Sequence, residues 1–368
     1  MRNRALKIII SGGGTGGHIY PAVAVAQEIQ RRYPDADILF VGASDRMEME
    51  KVPKAGFKIV GLWISGIQRS LSYRNLLWPL KVIVSVLKSL RILVQFKPDA
   101  CIGFGGYASG ALLFAATLKK IPTLIHEQNS YAGITNKLLR KRVNRICVAY
   151  DGMERFFPSD KLVHTGNPVR KDVVNCSHVR DEAFKHFKLD AAKKTILIIG
   201  GSLGARTINE SISRSLEAYS KAGVQLIWQT GKTYFATAKK SESASVRVYD
   251  FIYEMNLAYA AADMVISRAG ALSIAELALV KKPVILVPSP NVAEDHQTKN
   301  AQALVSKQAA LMVADKDAHA QLADTALNLL RDTALQQQLA LTISSFAISD
   351  AAERITDVLE NILTKKAP

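Results

Sequence analysis

Two glycine-rich turns, each lying between an apolar strand and a helix, constrain the fold of this 368-residue chain more than any other feature. The first turn is Gly12–Gly17 and the second is Gly200–Ala205. Helical spacing of apolar residues follows each of them, from about Ile19 and from about Arg206. Glycine lets a ligand approach the backbone, and the start of a helix offers unpaired N–H groups. Each turn therefore suits an anion such as phosphate.

The first turn also satisfies the dinucleotide pattern G-x-G-x-x-G, with Gly12, Gly14 and Gly17. That pattern requires an acidic residue at the end of the second strand, where a carboxylate holds the ribose. The second predicted strand ends in Gly42-Ala43-Ser44, and Asp45 comes late. The first turn alone therefore disfavours a nicotinamide or flavin enzyme.

Strands and helices alternate along both halves of the chain, which predicts two parallel sheets with right-handed crossovers. The turn-forming stretch Gly166–Arg170 is the expected boundary between two domains. We therefore predict domains at 1–165 and 166–345, with a C-terminal helix at about 346–368 packing back on the first domain. The predicted strands are Ile8–Ile10, Asp37–Gly42, Phe57–Leu62, Ala100–Phe104 and Pro122–Ile125, then Thr195–Ile199, Gln225–Gln229, Val246–Asp250, Met264–Ser267 and Pro283–Val287. Beyond Gln297 the pattern predicts helices.

Composition favours an anionic partner, because 48 Lys and Arg against 32 Asp and Glu give a net charge of +16. Nucleic acid is disfavoured, since the charge is spread out and no nucleic-acid-binding module is recognisable. The cysteines, Cys101, Cys147 and Cys176, are too few and too scattered for a disulfide framework or a zinc site. The N-terminal apolar run is too short for a signal peptide, and no run approaches the roughly 20 residues that span a bilayer. We expect a cytosolic protein that can bind a surface.

The predicted helix Pro79–Phe96 has an unusual surface, because Lys81 and Lys88 share one stripe while most other positions are apolar. A buried helix with one solvated edge would give this pattern. The alternative is that this helix or its preceding loop contacts lipid, while Arg69, Arg74 and Lys81 meet headgroups. Both interpretations remain open at this point.

Polar residues follow two predicted strands at the edge where open α/β sheets bind ligands. His126-Glu127-Gln128-Asn129 follow Pro122–Ile125, and a basic cluster comes just beyond. Arg268 follows Met264–Ser267 and could pair with a diphosphate. Glu276 lies one helical turn inside the next helix, where its carboxylate could accept both hydroxyls of a ribose. A buried or capping glutamate is the alternative. The basic cluster comprises Lys137, Arg140, Lys141, Arg142 and Arg145.

Seven motifs, in order and in register, resemble the MurG family of N-acetylglucosaminyltransferases, which act in the last intracellular step of peptidoglycan synthesis. No single motif is decisive, but the set is specific and runs from about Ile8 to past Ala301. The motifs are GGTGGH at Gly13–His18, GGYASG at Gly105–Gly110, HEQN at His126–Asn129, GNPVR at Gly166–Arg170, GGSLGAR at Gly200–Arg206, RAGALSIAE at Arg268–Glu276 and DHQTKNA at Asp295–Ala301.

The resemblance implies the GT-B fold, in which two Rossmann-like parallel-sheet domains face each other across a cleft. It implies UDP-N-acetylglucosamine (UDP-GlcNAc) as donor, held mainly by the C-terminal domain. The implied donor contacts are Thr15, Gly16, Gly17, Asn129, Arg170, Ser202, Ile252, Arg268, Ala271, Leu272, Ser273, Ile274, Ala275, Glu276 and Gln297. The implied acceptor is lipid I, an undecaprenyl diphosphate carrying muramyl pentapeptide, with Tyr107, His126, Glu127 and Gln128 as contacts on a membrane-associating N-terminal domain. The expected location is the cytoplasmic face of the bacterial inner membrane, on an anionic surface.

The implied chemistry is an inverting displacement, in which the acceptor 4-hydroxyl attacks the anomeric carbon and UDP leaves. A general base must accept the hydroxyl proton. His18 is the first candidate and His126 the second, although a histidine after a glycine turn can also merely cap or pack. No metal cofactor is expected, because no Asp-x-Asp pair is placed to hold one. Two alternatives are a UDP-sugar 2-epimerase of the same fold and a non-catalytic nucleotide-sugar binding module.

Overall fold

The computed structural model describes residues 4–66, 77–169, 177–201 and 204–364. The chain divides into two compact units. Unit 1 comprises Met1–Val169 and Asp350–Pro368, and unit 2 comprises Arg170–Ser349. Both boundaries lie four residues beyond those expected from the sequence.

The core of unit 1 is a parallel sheet of β1 (Lys7–Ser11), β2 (Asp37–Ala43), β3 (Lys58–Leu62), β4 (Ala100–Gly103), β5 (Thr123–Glu127), β6 (Arg145–Val148) and β7 (Leu162–His164). The strands lie in the order β3-β2-β1-β4-β5-β6-β7. The strand order therefore reverses between β1 and β4. In open α/β sheets, ligands bind at the carboxyl ends of the strands beside such a reversal.

Helices cover both faces of this sheet: α1 (Gly16–Arg32), α2 (Glu48–Lys54), α3 (Trp78–Phe96), α4 (Tyr107–Leu118), α5 (Ile134–Leu139) and the last helix of the chain, α15 (Ala351–Thr364). Alternate residues of a strand point to opposite faces. Ile8 and Ile10 accordingly pack with α1 and α15, while Ile9 packs with α3, α4 and α5. No helix in the described part of the chain combines the length and the apolar character needed to cross a membrane.

The C-terminal helix α15 returns to unit 1 and is joined to α1 by Arg32. The Arg32 guanidinium donates to Asp357 at 2.6 Å, to Glu360 at 3.1 Å and to Glu28 at 2.9 Å. Glu28 is buried and also accepts from Arg31. The hydrogen bonds from Arg31, and then those from Arg32, outweigh burial and lower the pKa of Glu28 to about 2.

Replacing Glu28 with glutamine should remove stability that depends on pH. A carboxyl with a lowered folded-state pKa contributes in full above its unfolded pKa of about 4.5, and this contribution is lost as pH falls toward 2. We expect Glu28→Gln to lower the free energy of unfolding at pH 7 by about 3 kcal/mol at most. Urea unfolding between pH 7 and pH 2 should show that the free energies of unfolding of the two proteins converge as the pH falls. A difference in free energy that stays constant with pH would contradict this.

Unit 2 repeats the architecture with β8 (Thr195–Ile199), β9 (Gln225–Gln229), β10 (Val246–Tyr249), β11 (Met264–Ser267), β12 (Val284–Leu286) and β13 (Leu311–Met312). Its helices are α6 (Arg180–Phe187), α7 (Arg206–Arg214), α8 (Leu216–Lys221), α9 (Lys232–Ala238), α10 (Met255–Ala261), α11 (Ala271–Val280), α12 (His296–Val305), α13 (Ala318–Arg331) and α14 (Thr333–Ser344). The strand order β10-β9-β8-β11-β12-β13 reverses between β8 and β11. The predicted pair of parallel α/β sheets is confirmed.

Several predicted boundaries need correction. Helix α1 begins at Gly16, not near Ile19, so His18 lies in its first turn. Strand β5 continues to Glu127 because His126 and Glu127 pair with β6. Strand β13 interrupts the region where only helices were predicted, and β6 and β7 were not predicted. The helix predicted over Pro79–Phe96 is confirmed as α3.

Candidate functional site

The turns after β1 and β4 touch each other through their backbones in unit 1. Gly106 has a φ of +87°, and a Cβ there would lie 2.7 Å from the Gly13 carbonyl oxygen. A Cβ on Gly12 would likewise lie 2.9 Å from the Phe104 Cβ. Only glycine permits these approaches, so the two turns form one surface at the sheet reversal.

His18 lies half-buried on this surface with a defined tautomer. Its Nδ1 is 2.9 Å from the Gly13 carbonyl oxygen and 3.4 Å from the Thr15 hydroxyl. A carbonyl oxygen only accepts hydrogen bonds, so Nδ1 carries a proton, and in the neutral ring Nε2 has the lone pair. Nε2 faces Gly105, where a Cβ would lie 3.0 Å away. The geometry therefore provides an imidazole whose basic nitrogen is Nε2.

His126, the second candidate base, is fully buried and has partners for both ring nitrogens. Nε2 donates to the Gly166 carbonyl at 2.9 Å, and Nδ1 accepts from the Gln128 amide at 3.1 Å. Burial, supported by the nearby His18, lowers the pKa of His126 to about 4. The ring is neutral near pH 7 and has no nitrogen available to a substrate. We therefore assign His126 a structural part in the joint between β5 and Gly166.

Glu127 and Gln128 are also buried, contrary to the expectation that they contact an acceptor. The Glu127 carboxylate accepts from the backbone of Asn129 and Gly133 and from the side chain of Asn136 at 2.8 Å. Gln128 donates to the Phe104 carbonyl at 3.0 Å. These bonds shape the loop after β5 and tie it to the loop after β4.

Tyr107 and Asn129 keep surface available to a ligand. Tyr107 is the first residue of α4 and is exposed, while Asn129 is half-buried. Thr15 and Gly17 are exposed as well.

In unit 2 the turn after β8 is also shaped by close backbone approach. Gly204 has a φ of +79°, and a Cβ there would lie 2.1 Å from the Thr230 carbonyl oxygen. Gly201 has a φ of +81°. Two predicted donor contacts, Ser202 and Arg170, lie outside the described residues.

Gln229, at the end of β9, connects two parts of the site and was not predicted from the sequence. Its amide nitrogen donates to the Gly201 carbonyl at 3.2 Å, and its amide oxygen accepts from the Ile252 N–H at 2.9 Å. It thus joins the glycine turn to the segment predicted to meet uracil. A polar residue at the carboxyl end of a strand with an apolar centre was the available signal.

Arg268 has partners other than the predicted diphosphate. Its Nη1 donates to the Val287 carbonyl at 2.9 Å and pairs with Asp315. Asn300 holds the same turn from α12 by donating to the Ala269 carbonyl at 3.3 Å. The turn after β11 is therefore held by the bonds of Arg268 and of Asn300, and the Arg268 charge is balanced by Asp315.

The first turns of α11 contain the predicted donor contacts from Ala271 to Glu276. Leu272, Ser273 and Ala275 are half-buried, whereas Ala271 and Ile274 are buried. Glu276 is half-buried, and its carboxylate accepts from the Tyr259 hydroxyl at 3.1 Å.

Gln297 lies in the first turn of α12, where its side-chain oxygen accepts from the Ser289 N–H at 2.9 Å. Among the described residues, no three His, Cys, Asp or Glu side chains are grouped to hold a metal ion. Metal-independent turnover stays a prediction.

Both units match one family of enzymes. Residues 8–148 match the glycosyltransferase family 28 N-terminal domain, and residues 195–355 match its C-terminal domain. A Cytophaga hutchinsonii protein named UDP-N-acetylglucosamine–N-acetylmuramyl-(pentapeptide) pyrophosphoryl-undecaprenol N-acetylglucosamine transferase is 58% identical over 97% of each chain. A Parabacteroides distasonis protein of the same name is 55% identical over 99% of this chain and 100% of that one.

Solved structures resemble the chain along nearly its whole length. The crystal structure of Acinetobacter baumannii MurG superposes with a TM-score of 0.80 and 27% identity, covering 97% of this chain and 99% of that one. A UDP-N-acetylglucosamine 2-epimerase superposes with a TM-score of 0.63 and 14% identity, covering 99% of each chain. The second likeness reflects a shared fold alone.

Proposed function

The chain belongs to the MurG family within glycosyltransferase family 28, and from this premise we propose that it builds lipid II for peptidoglycan. It transfers N-acetylglucosamine from UDP-GlcNAc to the 4-hydroxyl of the muramyl sugar of lipid I, forming a β-1,4 link. The observation that carries this proposal is the pair of sheet reversals, each with a glycine turn at its strand ends. Two family members that share this activity in their names, and that are more than half identical over nearly the full length, support it.

Unit 2 is the proposed donor-binding unit. The N–H groups at the start of α11 and the turn after β8 offer donors to the diphosphate. Glu276 accepts from the ribose hydroxyls, and the Ile252 carbonyl accepts from uracil, since the Ile252 N–H already bonds Gln229. Gln297 and the residues from Ala271 to Ala275 lie nearest the sugar. Arg268 keeps the turn after β11 in place through Val287 and Asp315.

Unit 1 is the proposed acceptor-binding unit and supplies the base. As the acceptor 4-hydroxyl attacks the anomeric carbon, its O–H bond breaks and the proton passes to His18 Nε2. The leaving UDP takes the electron pair of the glycosidic bond. Thr15, Gly16 and Gly17 present backbone and hydroxyl groups beside this imidazole, with Tyr107 and Asn129 completing the accessible surface. Positioned general bases typically contribute about 10²–10⁴-fold in rate.

One assay separates this function from its alternatives. Purified protein is incubated with labelled UDP-GlcNAc and a short-chain lipid I analogue, with a chelator present. We expect equimolar disaccharide lipid and UDP, with no sugar release when acceptor is omitted. Release or epimerisation of the sugar without acceptor would indicate the 2-epimerase alternative. Binding of UDP-GlcNAc without turnover would indicate a non-catalytic nucleotide-sugar binding module.

We also propose that α3 and α5 form the docking surface for an anionic membrane, where the lipid acceptor resides. Leu80, Ile83 and Leu87 are exposed at helical spacing along α3, and Ile134 and Leu138 are exposed on α5. Helix α4 packs against both, so these side chains lie on one face of the sheet. The basic residues at 140–142 follow directly after α5. A peripheral position on the inner membrane's cytoplasmic face follows from this proposal.

Lys81, one of the cations predicted to meet headgroups, bonds within unit 1. Lys81 donates to the Ser65 hydroxyl at 3.0 Å, and Lys88 donates to the Gly61 carbonyl. These bonds hold α3 against the end of β3. Arg69 and Arg74 lie outside the described residues. Apolar side chains therefore provide the sharper test of docking.

Replacing Ile83, Leu87 and Leu138 together with serine should weaken binding to anionic vesicles by about tenfold or more. Full burial of one such side chain contributes about 1.5–3 kcal/mol, and partial insertion contributes a fraction of this. Co-sedimentation measures the binding, and turnover of a water-soluble acceptor should not change. Leu341→Ser is the matched control, because Leu341 in unit 2 is 76% exposed and Leu138 is 75% exposed. Equal vesicle binding by the triple variant and the parent would refute this surface.

A further inference from the structure

Glu48, at the start of α2, is a fully buried carboxylate that the proposed reaction does not yet use. Its Oε1 accepts from the Ala43 N–H and its Oε2 from the Gly14 N–H, each at 3.0 Å. A Cβ on Gly13 would lie 2.1 Å from Oε1, and a Cβ on Gly42 would lie 2.5 Å from the Glu48 Cγ. The absence of side chains at Gly13 and Gly42 thus leaves room for the Glu48 carboxylate, whose position is fixed by the fold.

A single peptide group connects Glu48 to His18. The peptide between Gly13 and Gly14 contributes its N–H to Glu48 Oε2 and its carbonyl oxygen to His18 Nδ1–H, at 3.0 and 2.9 Å. Hydrogen bonds in such a chain polarise one another, so the carboxylate makes the carbonyl a better acceptor. The same bonds fix the plane of the peptide and therefore the direction from which it meets the imidazole.

We propose that Glu48 is a positioning residue for His18, acting through the Gly13–Gly14 peptide. It holds the Nδ1–H tautomer, so that Nε2 remains the basic nitrogen, and it stabilises the imidazolium that forms when Nε2 takes the acceptor hydroxyl proton. Glu48 itself neither gains nor loses a proton. This inference rests on the proposed role of His18 as the base.

The titratable groups that face His18 must be considered when a pH profile of kcat is interpreted. Glu48 faces it from α2 through the shared peptide, and His126 faces it from β5. Burial, followed by the charge of His18, lowers the pKa of His126 to about 4. His126 is therefore neutral throughout the range from pH 5 to 8, where free imidazole changes charge.

Replacing Glu48 with glutamine is the direct test. Residues that orient a metal-binding histidine typically contribute about 10–100-fold in activity. By analogy, we expect kcat to fall within that range when the residue that orients His18 is replaced. The acid limb of the kcat profile should also move to lower pH, because removing a negative charge disfavours the protonated imidazole. Glu48→Asp keeps the charge with a shorter reach, so it should return the limb toward its parent position and recover part of kcat.

The matched control is Glu50→Gln on the same helix. Glu50 is exposed and pairs with Lys54 at 2.7 Å, so its replacement should leave kcat and the acid limb unchanged. Nitrogen NMR of labelled parent protein gives a readout that needs no variant, and it should show the Nδ1-protonated tautomer of His18. The Nε2-protonated tautomer would overturn the proposal.

A double-mutant cycle separates failure of this inference from failure of the proposed function. In a His18→Ala background, Glu48→Gln should have little further effect on kcat, because Glu48 acts through His18. Equal effects in both backgrounds, or an acid limb that does not move in Glu48→Gln, would reduce Glu48 to a structural residue of the loop. If His18→Ala retains most of its kcat, the base assignment itself fails. If the parent protein transfers no sugar, the proposed function fails.

Discussion

Replacing His18 with alanine is expected to lower kcat by about 10²-fold or more while leaving donor affinity near the parent value. A general base acts only as the hydroxyl proton moves, and its contribution of about 10²–10⁴-fold appears in kcat and not in ground-state binding. The parent kcat should fall on the acid side through a single ionisation that the variant lacks. Steady-state kinetics with UDP-GlcNAc and a short-chain acceptor, from pH 5 to 9, measure both effects.

A second variant, His18→Asn, separates chemistry from structure. The asparagine amide can still donate to the Gly13 carbonyl, replacing His18 Nδ1, but it has no basic nitrogen. We expect it to keep the parent's melting temperature and donor affinity while losing kcat as fully as the alanine variant. His164→Ala in unit 1 is the control, since His164 is a surface residue paired with Asp151. An asparagine variant with most of its kcat would show that His18 only shapes the turn.

The main architecture could be predicted because its signals are local. Apolar runs that end in glycine turns reveal the strands beside both sheet reversals, and β8, β9 and β11 occupy the predicted residues. The glycines are needed because neighbouring backbones come within contact distance, as at Gly106 and Gly204. This requirement is visible in the chain before any partner is known.

The orientation of polar side chains could not be predicted, because it depends on partners that are distant in sequence. From the sequence, His126 was a plausible base. In the structure it is buried and bonds the carbonyl of Gly166, 40 residues away. Arg268 pairs with Asp315, 47 residues away, and no periodicity indicates such a pair. Strand β5 lies inside the sheet with both faces covered, so even its polar residues are buried and bonded internally.

Replacing Glu276 with alanine should weaken UDP-GlcNAc binding by roughly ten- to a hundredfold. A hydrogen bond to a charged group typically contributes about 1.5–3 kcal/mol, and 1.4 kcal/mol corresponds to a factor of ten. Glu276 lies on α11, and one of its carboxylate oxygens accepts from the Tyr259 hydroxyl, which fixes the direction of the group. Calorimetric titration with UDP-GlcNAc measures the loss. Glu217→Ala should bind normally, because Glu217 lies on the surface of unit 2 and pairs with Lys221.

Deoxyribose analogues of the donor test whether Glu276 contacts the ribose or only supports α11. The parent should lose affinity for an analogue that lacks a hydroxyl bound by the carboxylate, whereas Glu276→Ala has already lost that bond and should discriminate much less. Tyr259→Phe removes the orienting hydroxyl and leaves the carboxylate in place, so its loss of affinity should be smaller than that of Glu276→Ala. If parent and Glu276→Ala discriminate equally between the donor and its deoxy analogue, Glu276 is a structural residue paired with Tyr259, and the ribose is held by other groups.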